Sequence, residues 1–173
     1  IIKYENIHKI FKGRYYGIAT NDKKLEKKND KDKLKCYVSK QKGFIKYIDK
    51  KYIKKDYKFY KLITSRAAHS GPSGFGNMFI GNINEIHSGS YISFGVKNEK
   101  EIKSLFSYMK CKLPNLMLSL RKISINMNKN VCKWIPLPPL DRTWTNEEIY
   151  KYYKLTKEDI KLITETKIVG YKD

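Results

Sequence analysis

The chain has 173 residues, with 37 Lys and Arg against 17 Asp and Glu, a formal net charge of +20 and 40% hydrophobic residues. One domain fits that length, and so much apolar material excludes a disordered polyelectrolyte. No run reaches the ~18 consecutive apolar residues of a membrane helix, and no basic, apolar and small-residue leader opens the chain, so a cytoplasmic protein without membrane contact is expected.

Residues 1–20 read as a short element, IIKYENIHKIF, followed by a strand over GRYYGIATN, where Gly13 and Gly17 bracket two tyrosines. Residues 21–35 are polar and lysine-rich, with Leu25 and Leu34 as their apolar residues, and read as a mobile loop. From Lys35 to Ile48, β-branched and aromatic residues surround Gln41-Lys42-Gly43, which predicts a hairpin. FYKLITS at 59–65 has the composition of a buried strand. AHSGPSGFGN at 68–77 must be a loop with unusual backbone angles, and NMFIG and SYISFGV then continue as strands around the polar turn NINEIHSG.

A helix follows. Asn98 is a suitable N-cap with Glu101 three residues on, and Ile102, Leu105, Phe106, Met109, Leu113, Leu116, Met117 and Leu120 recur at helical spacing. Pro114 should kink or split it. After a basic, polar stretch at 121–133, WIPLPPLDRTW is an extended proline-rich link. Thr145 with Glu148 and Thr156 with Asp159 then start two short helices. The fold expected is α+β: a mixed or antiparallel sheet, a long kinked helix packed on it and two short C-terminal helices.

The charge is localised. Residues 1–60 hold 19 basic and 7 acidic side chains and residues 61–133 hold 11 and 3, whereas residues 134–173 hold 7 of each. Part of the excess is a bias toward lysine, 33 against 4 arginines, but that bias acts equally on the neutral tail. The division therefore predicts a polyanion-facing body at 1–133 and a link with C-terminal helices at 134–173, within one domain. Basic runs such as KKYIKKDYK are interleaved with tyrosines and lack a clean apolar face, which favours nucleic acid over a membrane surface.

Familiar catalytic patterns are missing. HSGPSGFGN lacks the Gly-Lys-Ser/Thr end of a phosphate-binding loop, and no dinucleotide fingerprint occurs. Cys36, Cys111 and Cys132 have no zinc spacing and read as reduced packing residues. His69 and His87 flank one strand pair, but no partner at a known spacing supports a metal or triad. Glu101-Ile102-Lys103 and Glu165-Thr166-Lys167 match half of a restriction-nuclease motif, at positions where helices are expected. Neither an Asn/Asp-Pro-Pro-Tyr/Phe tetrapeptide nor a glycine-rich S-adenosylmethionine loop is present. No catalytic or metal site is therefore expected in this chain.

Residues 59–163 carry a further pattern. A strand runs into the glycine-rich loop at Lys61 to Gly76, a strand pair ends at Tyr91 to Val96, and E-x-x-S-x-x-S-Y-x-K-x-K runs from Glu101 to Lys112. W-I-P-L-P-P-L-D-R-x-W-T-x-E-x-I-Y-K-Y-Y begins at Trp134. In these features the chain resembles the C-terminal target-recognition region of adenine-specific restriction-modification DNA methyltransferases, including forms fused to a type II restriction endonuclease. The resemblance implies a double-stranded DNA-binding region, non-catalytic by itself. It also implies a longer chain, consistent with a start at Ile1, whose N-terminal methyltransferase domain binds S-adenosyl-L-methionine and methylates adenine.

On that reading Arg66, His69, Ser70, Ser73, Asn77, His87, Ser88 and Ser90, on loops between strands, are the candidates for base edges. Arg14, Lys61, Arg121 and Lys122 are the candidates for phosphates. Two alternatives stay open: a Mg²⁺-dependent restriction nuclease fragment using Glu101 and Lys103, and an RNA-binding module whose tyrosines stack on unpaired bases.

Overall fold

The computed structural model describes residues 4–39, 43–67 and 71–172. The fold is α+β, built on two sheets. The first has the order β1-β7-β4-β5, with β1 at Phe11–Gly13, β4 at Tyr60–Ser65, β5 at Met78–Gly81 and β7 at Tyr91–Val96, all antiparallel. The second has the order β3-β2-β6, with β2 at Lys33–Tyr37, β3 at Ile45–Asp49 and β6 at Glu85–His87. There β2 and β3 form the antiparallel hairpin expected around Gly43, while β6 joins β2 in parallel.

Alternation along β4 explains its continuous apolar run. Leu62 enters the main core with Ile92, Phe94 and Val96 of β7, and Ile63 points to the other face, into a smaller cluster with Tyr37 and Tyr91. Phe44 and Phe79 complete that cluster, which joins the two sheets through ring contacts of 4.8–5.5 Å. Leu25, Leu34, Cys36, Ile48 and Ile86 make a third cluster on the second sheet. The lysine-rich segment is accordingly fastened: Leu25 is buried, Glu26 and Tyr47 exchange two backbone hydrogen bonds of 2.8 Å, and residues 33–35 belong to β2.

Helices close the main core. The long helix is split into α1 (Glu99–Met109) and α2 (Lys112–Ser119), but the break falls at Cys111, whose ψ of 159° is extended. Pro114 lies in the first turn of α2, where a missing N–H costs no helical bond. The Asn115 amide bridges the break by donating to the Met109 and Cys111 carbonyls. Asn98 caps α1 through the Glu101 N–H. A short α3 (Lys129–Cys132) leads to the proline-rich link, and α4 (Asn146–Tyr152) and α5 (Lys157–Glu165) follow with Thr145 and Thr156 as their caps. Trp144 is buried, its indole N–H donating to the Pro139 carbonyl, whereas Trp134 is half exposed.

Two expectations change. GRYYGIATN is a series of turns beyond β1, with Gly13 and Gly17 at φ of 64° and 66°, and the polar turn at 82–89 contains strand β6. No helix among the described residues is long and apolar enough to cross a membrane.

Candidate nucleic-acid interface

The turn after β1, the end of β4 and the β6–β7 turn converge on an open depression of about 750 Å³. Among the described residues its lining includes Arg14, Thr20, Asn21, Arg66, Asn77 and Ser90, and no acidic residue. Half of the chain's arginines thus meet at one place although Arg14 and Arg66 are far apart in sequence. An acid-free site with two guanidiniums, hydroxyls and amides suits an anionic, hydrogen-bonding ligand.

Backbone bonds fix this frame. Arg66 directly follows β4; its N–H donates to the Ser90 carbonyl at 3.0 Å, and its carbonyl accepts from the Met127 N–H at 2.9 Å. Its Nε and Nη2 both donate to Asn126 Oδ1, at 3.3 and 3.1 Å. Arg14 begins a turn closed by the Gly17 N–H, and Gly89 donates to the Ile18 carbonyl at 2.7 Å, tying that turn to the one before β7. Thr20 and Ser90 hydroxyls meet at 2.6 Å across the same seam.

The structure sorts the base-edge candidates. Arg66, Asn77 and Ser90 line the depression, while His69 and Ser70 lie outside the described residues. Ser73, His87 and Ser88 are buried and are not offered to a ligand, which corrects their placement. Ser73 accepts from Lys122 Nζ at 2.9 Å. The imidazole of His87 is held at both nitrogens: Nδ1 donates to the Ser88 carbonyl, which leaves Nε2 to accept from the Ser93 hydroxyl. Burial drives its pKa down to about 4, so the ring is neutral at pH 7.

The phosphate candidates divide as well. Arg14 is exposed on the depression. Arg121 is exposed elsewhere, its guanidinium 4.3 Å from the centre of the Trp134 ring. Lys61 and Lys122 are corrected to interior residues, each with 0% of its surface exposed. Lys61 Nζ donates to the Asn82 and Glu85 carbonyls at 3.0 and 2.7 Å, and burial lowers its pKa to about 8. Lys122 Nζ donates to the Gly71 carbonyl and Ser73. With the Gly74 N–H on the Val169 carbonyl and the Phe75 N–H on Asn115, these bonds pin the glycine-rich loop from behind.

Several residues of the surface were missed in the sequence. Thr20 and Asn21 were hidden in a segment that reads as a strand. Lys12, two residues before Arg14, and Lys55 flank the Tyr15 ring at 5.5 Å each, and Lys12 also lies over Phe59 at 5.3 Å. The charged ends of the Glu101-Ile102-Lys103 tripeptide are otherwise engaged: Glu101 accepts from the Lys97 N–H, and Lys103 pairs with Glu99. All three cysteines are buried thiols, each pushed up to about 12 chiefly by burial.

Comparison with family models, with curated proteins and with solved structures gives no match.

Proposed function

We propose that this chain binds double-stranded DNA sequence-selectively, as the target-recognition region of an adenine-specific restriction-modification methyltransferase, and is non-catalytic by itself. The observation that carries the reading is the acid-free depression in which Arg14, Arg66, Asn77 and Ser90 meet. Strand ends and turns present the base-reading groups, and the basic body around them neutralises phosphates. Lys12 and Lys55 replace Lys61 and Lys122 among the phosphate contacts, because both are exposed and hold their ammonium groups beside the half-buried Tyr15 ring. In this reading S-adenosyl-L-methionine and the transferred methyl group belong to the N-terminal methyltransferase domain of a longer chain.

The test is duplex binding by fluorescence anisotropy across a salt series. Five to eight phosphate contacts would give a slope of log affinity against log salt of about −4.5 to −7, at roughly −0.9 per contact. Lys12→Ala and Lys55→Ala should each make that slope shallower by about 1 while weakening all duplexes alike. Absence of duplex binding at low salt, or preference for single-stranded RNA in competition, would sink the proposal.

A further inference from the structure

We infer that the depression reads guanine, with Arg66 as its principal reader, Asn126 as the residue that positions Arg66, and Arg14 as a second reader seated on Gly89. The inference rests on the duplex-binding reading and narrows it to one base.

Arginine is the informative letter in this sequence. Lysine fills 33 cationic positions and arginine only 4, so a site that needs a point charge is served by lysine here. A planar fork with parallel N–H donors is what lysine cannot supply. The other two arginines use their planes for stacking: Arg121 lies over Trp134, and Arg142 lies over Trp144 while pairing with Asp141. Arg14 and Arg66 are the two that line the depression.

Arg66 has five N–H donors, and Asn126 Oδ1 takes the Nε and Nη2 side edge. The end edge remains, with one N–H from each Nη pointing in parallel, which matches the O6 and N7 acceptors of guanine in the major groove. Asn126 is neutral, so it orients the guanidinium without cancelling its charge. The backbone of Arg66 is held on both sides, by Ser90 and Met127, and the Ala67–Asn126 bridge ties the orienting residue to the same frame. Such over-determination is needed to fix register against a base edge and is superfluous for a flexible contact with a phosphate.

Arg14 is seated differently. Gly89 has no side chain, and a Cβ there would come within 2.9 Å of Arg14 Nη2 and 3.0 Å of Nε. The guanidinium thus lies against bare backbone, and among the described residues it makes no hydrogen bond or ion pair. Its donors are available to a ligand. Asn77, Thr20 and Ser90 surround the pair with groups suited to neighbouring base edges or sugar-phosphate oxygens.

The experiment is selection by the 173-residue chain from a pool of duplexes randomised at their centre, followed by affinity measurements on the enriched sequence and its single-base changes. Guanine should be fixed at two positions. Arg66→Ala and Arg66→Lys should both abolish the preference at one of them, by roughly 5- to 100-fold, although Lys keeps the charge. Asn126→Ala should weaken the preference at that same position, and Arg14→Ala and Gly89→Ala should weaken it at the other. Both arginines and Asn126 lie at the surface, and thermal unfolding of each variant verifies that the fold is kept.

Duplex binding without any guanine preference would overturn the inference and leave the duplex-binding reading standing. So would an Arg66→Ala variant that weakens every sequence equally and makes the salt slope shallower by about 1, since that is a phosphate contact. Failure to retain any duplex from the pool at low salt would overturn both.

Discussion

Lys61 shows how much a single letter can conceal. It lies within β4, flanked by Tyr60 and Leu62, and alternation puts it on the same face as Ile63 and on the side of the second sheet. Its ammonium group holds carbonyls at both ends of the turn before β6, so its removal leaves buried acceptors unpaired. Lys61→Ala should cost about 2–4 kcal/mol in urea unfolding and leave the salt slope of duplex binding unchanged. A shallower slope would return Lys61 to the phosphate contacts. Because the folded pKa is about 8 and that of an unfolded lysine is about 10.4, the unfolded chain binds more protons between those values, and Lys61 makes stability rise with pH across that window. The clue to its burial was present in the run YKLIT. Its partners, Asn82 and Glu85, were not, because they come from a turn whose position depends on β6. Arg66 was legible as a loop residue at a strand end. Its orienting partner Asn126 was not, because 60 residues separate them.

At the scale of elements, locally encoded features were read correctly and borrowed ones were missed. The caps of α1, α4 and α5 and the β2–β3 hairpin depend on residues a few positions apart. Thr156 and Asp159 form a complete capping box, and Thr156→Ala should cost about 1 kcal/mol in thermal or urea unfolding, with no change in binding. Strand β6 borrows its form from β2 and so cannot be read from its three residues. It is also the acid-sensitive element of the fold. His87 stays neutral down to about pH 4, whereas an unfolded histidine takes up its proton near 6.5, so stability falls as pH drops through that window. Two residues away on the same strand, burial pushes the Glu85 carboxyl up, but the Asn82 N–H, the Tyr37 hydroxyl and Lys35 outweigh it and hold the pKa below its ordinary value. Its stabilising contribution is present above the unfolded carboxyl pKa and is lost as pH falls through the folded one. Urea unfolding from pH 7 to 4 should show a loss on the order of 3 kcal/mol from His87, and His87→Gln should flatten the part of the curve above pH 4.5. An unaltered profile in that variant would show that the ring is not the group being titrated.

Over the whole molecule, the net charge of +20 has two origins that only the fold separates. Lys61 and Lys122 direct their charge to interior carbonyls and hydroxyls, whereas Lys12 and Lys55 are exposed and hold theirs beside the half-buried Tyr15 ring. The neutral tail is likewise more than a closing segment, because Val169 bridges Ser73 and accepts from the Gly74 N–H. This latch has a consequence for biosynthesis. Every strand of both sheets, from Phe11 to Val96, leaves the ribosome before Val169 is made. Until then the rear of the loop that carries Asn77 has its bonds to Lys122 and Asn115 but lacks the contact with the tail. The surface around Asn77 is therefore completed after the sheets, by a contact of long sequence separation whose loop-closure cost falls late in folding. A nascent chain can hold assembled sheets while the depression beside Asn77 is still unset.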